Sequence, residues 1–113
     1  MLKEEVKKNV DEIKEIMEKY DAEDIKIFDM EKSSLLVDYF VIVTGNSDTH
    51  MNALRDYVVK YLKENEIKLT YHDKTRGSDW LVVDTGNIIV HIFSRDGREF
   101  YDLDSLWSKY LLK

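Results

Sequence analysis

Three histidines and seven serines are the side chains of this 113-residue chain that could act as metal ligands, general bases or nucleophiles. His50 stands at the start of a predicted helix, His72 at a strand end and His91 inside a strand. No two are spaced to share a helix face or to meet across a hairpin, and there is no Cys to complete a site. A metal centre needs three or four converging ligands, so none is predicted. His91 lies between Val90 and Ile92 and points to the opposite strand face, where it reads as a surface or satisfied structural residue. Each serine falls in a turn or on a polar helix face, and none sits in a Gly-x-Ser-x-Gly elbow. Nucleophilic catalysis therefore has no support, and no cofactor is expected.

Gly45-Asn46-Ser47 follows an apolar strand and opens a helix, a place where backbone N–H groups can cradle a phosphate. The Gly-x-Gly-x-x-Gly and Walker patterns are both missing. A Gly-Ser turn in this setting resembles nucleotidyltransferases, which hold two metal ions with a pair of carboxylates. The following strand, Lys68–His72, has no acid; Asp73 stands alone, and Asp48 has no partner at a useful spacing. A turn with an N-cap is the simpler reading, and a nucleotide-binding or residual nucleotidyltransferase domain is the alternative.

The remaining signal is aromatic side chains beside acids. Trp80 opens a strand between Asp79 and the more distant Asp84, and Phe100-Tyr101-Asp102 leads into the last amphipathic segment. Helical spacing assigns Phe100 to the core stripe and turns Tyr101 away from it. Protein interfaces concentrate their energy in Trp, Tyr and Arg, and complementary charge selects the partner. Trp80 reads equally well as such an anchor or as core.

Composition sets the frame for these groups. The chain is 43% hydrophobic and 12% aromatic, too rich in core formers for a disordered segment, and its length suits one domain over residues 1–113. Without Cys there is no disulfide framework or thiol chemistry, which is compatible with a reducing cytosol. The first seventeen residues carry acids throughout and do not read as a leader, so a cytoplasmic location is expected, with no membrane contact. A net charge of −6 argues against attraction to bare nucleic acid and favours a basic partner. Residues 1–30 hold six Lys and ten acids, a net of −4, leaving −2 for the remainder.

The elements that must position these residues follow from periodicity. Val6, Val10, Ile13, Met17 and Tyr20 form a helical stripe. Ile25–Phe28 is a short strand, and the unbroken run Tyr39–Val43 is a strand buried on both faces. Met51, Leu54, Val58 and Tyr61 mark a second helix, and Ile67, Leu69 and Tyr71 alternate as a half-buried strand. Trp80–Val83 and Ile88–Phe93 flank Asp84-Thr85-Gly86-Asn87 as a tight hairpin. Phe100, Leu103, Trp107 and Tyr110 predict one closing helix. The fold class is α/β in the α+β sense: a mixed five-stranded sheet in the order α-β-β-α-β-β-β-α, with a crossover over 39–71.

The run from Asp38 to Ser47 with His50, Ala53 and Leu54 resembles the Iojap family of ribosomal silencing factors. Trp80–Asp84 with Gly86 and Val90–Phe93 resembles its second block, and Arg98–Leu103 with Leu106-Trp107 its third. Thr85 replaces the family's usual bulky residue, and Arg76-Gly77 its usual Glu-Gly. The resemblance implies a non-enzymatic protein with a nucleotidyltransferase-like fold that has lost its carboxylates. It implies binding to the large ribosomal subunit through ribosomal protein L-fourteen, blocking the small subunit and repressing translation, with no direct reading of nucleic acid. Carried over by position, Trp80 would be the anchor, Asp84 and Asp102 would meet basic side chains, and His91 and Tyr101 would donate hydrogen bonds. Exposed sheet around Trp80 could also form a homodimer when the partner is missing.

Overall fold

The structure, a computed structural model, describes residues 2–112. Helix α1 (Lys3–Lys19) is followed by strands β1 (Glu23–Asp29) and β2 (Tyr39–Thr44), helix α2 (Asp48–Glu64), and strands β3 (Tyr71–His72), β4 (Trp80–Asp84) and β5 (Ile88–Phe93). Helices α3 (Arg95–Tyr101) and α4 (Leu103–Leu106) and a 3-10 turn over Ser108–Tyr110 complete it. The five strands form one sheet in the order β1-β2-β5-β4-β3. β2 and β5 are parallel neighbours, and the other pairings are antiparallel.

The unbroken apolar run of β2 is explained by its central place. Val41 and Val43 face one layer, made with Val6, Val10, Ile13 and Met17 of α1 and Met51, Leu54, Val58 and Leu62 of α2. Phe40 and Ile42 face the other, where Phe28 and Phe93 lie under Leu103, Trp107 and Leu111. Two-residue alternation sends neighbouring side chains to opposite faces, so a strand covered on both sides must be apolar at every position. Each fully buried aliphatic side chain contributes about 2 kcal/mol. Gly45 marks the tight exit from β2, since a Cβ there would collide with the Met51 side chain.

Two predicted elements differ. The third strand is only Tyr71–His72; Ile67 and Leu69 pack against the core as irregular chain. Its crossover from β2 also ends on the far sheet edge, because β5 and β4 take the intervening places. The closing helix is broken at Asp102, whose φ of 47° is left-handed. Asp102 ends α3 and caps α4, its carboxylate accepting from Ser105 N–H at 3.4 Å. A non-Gly residue seldom adopts that region, and Asp is among those that do. The break rotates the helical stripe, so the assignment of Phe100 to the core fails. Phe100 is 80% exposed, while Tyr101 turns back onto the sheet.

Candidate functional site

On the sheet face covered by the C-terminal helices, Trp80 and Phe93 are cross-strand partners. Their rings stack with centroids 5.1 Å apart. Tyr101 closes on Trp80 at 4.8 Å, and Phe100 meets Tyr101 edge-on at 5.0 Å. Trp80 is half-buried, so it is at once part of the core edge and part of the surface. The exposed acids Asp79, Asp96, Glu99 and Asp102 occur in the same segments. The result is an aromatic surface whose surroundings carry negative charge.

His91 lies beneath this surface and does not belong to it: it is 6% exposed. Its Nδ1 accepts from Trp80 Nε1 at 3.1 Å, and its ring meets Phe40 edge-on at 4.6 Å. An indole N–H only donates, so this bond requires a neutral imidazole with its proton on Nε2. That Nε2 is buried without a hydrogen-bond partner among the described residues. Burial pushes the His91 pKa down to about 4, which agrees with the neutral form. The residue therefore orients Trp80 from below, in place of the partner contact the resemblance implies.

The remaining carried-over residues separate. Asp102 adjoins Tyr101 but has the capping role described above. Asp84 lies at the opposite end of β4, about 14 Å from Trp80 at the usual strand rise. Its Oδ1 accepts from Gly86 N–H at 2.7 Å and shapes the hairpin, where Gly86 takes a φ of 91°. The structure thus brings together Trp80, His91 and Tyr101 and leaves Asp84 apart.

Arg98 and Asp104 hold this arrangement together, and neither was singled out by type or spacing. Arg98 is buried; its Nε and Nη2 donate to the two Asp104 oxygens at 2.7 and 2.9 Å, and Nη1 donates to Thr44 Oγ1 at 3.0 Å. One side chain thereby ties α3, α4 and the end of β2. Burial alone would raise the Asp104 pKa, but the hydrogen bonds and charge of Arg98, with Lys26 nearby, hold it below its ordinary value. The legible signal was Asp102, an N-cap type three residues before Ser105, which marks a new helix start within the supposed continuous one.

The Gly45-Asn46-Ser47 turn is occupied by its own chain. Gly45 N–H donates to Phe93 O, and Asn46 N–H donates to His50 Nδ1 at 2.9 Å. Ser47 Oγ accepts from His50 N–H at 3.0 Å, and His50 Nε2 donates to Tyr20 O at 2.8 Å. His50 is thus a bridge between the C-terminus of α1 and the turn. The adjoining hollow is lined by Asp48, Asp79 and Asp96, while its Arg95 is paired with Glu23 at 2.7 Å. Such a site repels phosphate. No group of three or more potential metal ligands gathers among the described residues, and no helix there is long and apolar enough to cross a membrane.

Fold and surface together define a small α+β module that presents an aromatic patch. The family model described as ribosomal silencing factor during starvation matches residues 3–111. The chain belongs to this family. It is 40% identical over 86 residues to the ribosomal silencing factor RsfS of Bacillus subtilis, covering 76% of this chain and 73% of that protein. It is 36% identical to the RsfS of Haemophilus influenzae, covering 75% and 83%. A mouse relative named for mitochondrial assembly of the ribosomal large subunit is 31% identical, and 45% of its length is covered. A crystal structure of a Chromobacterium violaceum protein is 28% identical with a TM-score of 0.84, covering 96% of this chain and 88% of that one.

Proposed function

We propose that this protein binds the large ribosomal subunit through its protein L-fourteen and blocks joining of the small subunit, lowering translation in the cytoplasm. The observation that carries the reading is the half-buried Trp80, fixed by His91 and flanked by Tyr101 and the exposed Phe100. A rigid aromatic group loses little entropy on docking, and a negative surround suits a basic ribosomal protein. No catalytic step is needed, because a bound protein excludes the other subunit by occupying its space.

An interface of standard size takes about 800 Å² from each partner, a disc of about 16 Å radius. Centred on Trp80 and Tyr101, it places Asp102 near the middle and Asp84 at the rim. The two acids would meet basic side chains there, while His91 supports from beneath.

The test is light scattering of purified large and small subunits in magnesium buffer, with the protein pre-bound to the large one. Joining should fall in proportion to occupancy. Undiminished joining, with no protein sedimenting with either subunit, would refute the reading.

A further inference from the structure

The charge of the molecule is polarised in a way its net value hides. Residues 60–76 hold five Lys and Arg against three acids, a local +2 in a chain of −6. Lys60 and Lys63 on α2, Lys68 and Lys74 are all exposed. None of these four has a carboxylate within ion-pair distance among the described residues, whereas Arg55 nearby is paired with Asp56. Lys74 lines an open hollow of about 530 Å³ with Leu69, Thr70, Tyr71 and His72. Burial and then the charges of Lys74, Arg55 and Lys63 lower the His72 pKa, against the opposing pull of Asp56. The cations of α2 and of the β3 segment therefore act on one place.

Tyr71 gives that place its second feature. Its ring is 56% exposed on the sheet-edge strand β3, and its hydroxyl donates to Asp73 Oδ1 at 2.6 Å. Asp73 is itself fixed, since its Oδ2 accepts from Val82 N–H at 2.8 Å. A pinned aromatic ring beside unpaired lysines is a stacking platform with a phosphate track. Lysines attract an acidic peptide as well as RNA, but the bare aromatic face is matched by a base, and the buried guanidinium of Arg55 is already spent on Asp56 and the carbonyls of Asp73 and Thr75.

We propose that this β3 edge is a second contact surface, taking single-stranded or looped RNA by base stacking on Tyr71 and phosphate contacts to Lys60, Lys63 and Lys74. It rests on the reading of a ribosome-bound protein, whose principal neighbour beyond the protein partner is RNA. Binding here is insensitive to sequence, because lysine charges and a ring face carry no base code.

The experiment measures binding of a labelled short single-stranded RNA of mixed sequence against salt, for the intact chain and a Lys60→Gln, Lys63→Gln, Lys74→Gln variant. The exposed substitutions leave the fold intact. The intact chain should bind at low salt, and the variant should lose at least tenfold, its log–log salt slope shrinking by about 2. Tyr71→Leu should weaken binding about fivefold or more, and Tyr71→Phe should retain it. No RNA binding by the intact chain, or equal binding by the triple variant, overturns the proposal. So does equally tight binding of a polyglutamate of matched length, which would assign the surface to an acidic protein. Trp80→Ala, measured for large-subunit binding in parallel, separates the two readings: it leaves RNA binding unchanged whether or not the aromatic patch is the docking site.

Discussion

Trp80 and His91 meet diagonally across the β4–β5 ladder, the indole N–H donating to imidazole Nδ1 at 3.1 Å. The bond does two things. It satisfies the one polar atom of a side chain otherwise suited to an apolar surface, and it fixes the indole plane before any partner arrives. It also commits His91 to the neutral state, because a protonated ring would present a second donor to the indole.

Stability should therefore depend on pH in a window set by His91. Its folded pKa of about 4 lies below the ordinary 6.5, so between these values the unfolded chain binds the extra proton. The contribution is fully present above about pH 6.5 and is lost as pH falls towards 4, amounting to about 3 kcal/mol. Urea titrations from pH 7 to 4 should show this fall. His91→Gln, which keeps an acceptor for Trp80 but cannot titrate, should flatten the curve in that window.

Trp80→Ala should weaken binding to large subunits by about 2 kcal/mol or more, the range of an interface hot spot. Sedimentation with purified subunits measures this, with circular dichroism confirming the fold. Wild-type affinity in the folded variant would remove Trp80 from the anchor role. Reversing Asp84 and Asp102 to Lys should slow association with a basic partner.

Phe100→Ser tests the exposed ring alone. With the side chain 80% exposed, the melting temperature should shift little, since surface substitutions usually stay within about 0.5 kcal/mol. Large-subunit binding should drop. A variant with unchanged binding would place Phe100 outside the interface.

Asp104→Asn should cost about 3 kcal/mol, the lower end of what is lost when a buried ion pair is broken, since Asp104 retains some solvent contact. Thermal melts give the loss, and limited proteolysis should show cleavage near Asp102 first. A merely electrostatic surface role would leave both unchanged.

His50→Ala should cost about 2 kcal/mol through loss of its bonds to Asn46 and Tyr20. Because the Gly45 and Asn46 N–H groups are used within the chain and Asp48, Asp79 and Asp96 line the hollow, millimolar nucleoside triphosphate with magnesium should not raise the melting temperature. A stabilisation that grows with nucleotide concentration would restore the nucleotide-binding alternative.

The sheet was legible where burial dictates composition. Tyr39–Val43 could only be a strand covered on both faces, and the 80–93 hairpin announced itself through Asp84-Thr85-Gly86-Asn87 between β-rich runs. The aromatic patch was legible in part. A helical wheel through Phe100, Leu103 and Trp107 assumes one axis, and a single left-handed residue at Asp102 changes that axis. Periodicity has no means of registering such a rotation. His91 was placed on the correct strand face, but its burial depended on Trp80 and Phe40, residues distant in sequence that only the sheet register brings over it. Arg98 was obscure partly for the same reason: besides nearby Asp104, its partners Thr44 and Asp24 come from the first half of the chain.

The central parallel pair joins Tyr39 to Ile88 and Thr44 to Phe93, which has a consequence for the order of synthesis. Translation runs from the N-terminus, so α1 and the β1–β2 pair can exist on a nascent chain before their central neighbour has been made. Trp80, His91, Phe93 and Tyr101 are all made after α2, and β5 must dock beside β2 before α3 can be tied by Arg98 to Thr44. A translation product stopped short of Tyr101 therefore carries the first layer of the core but no assembled aromatic patch.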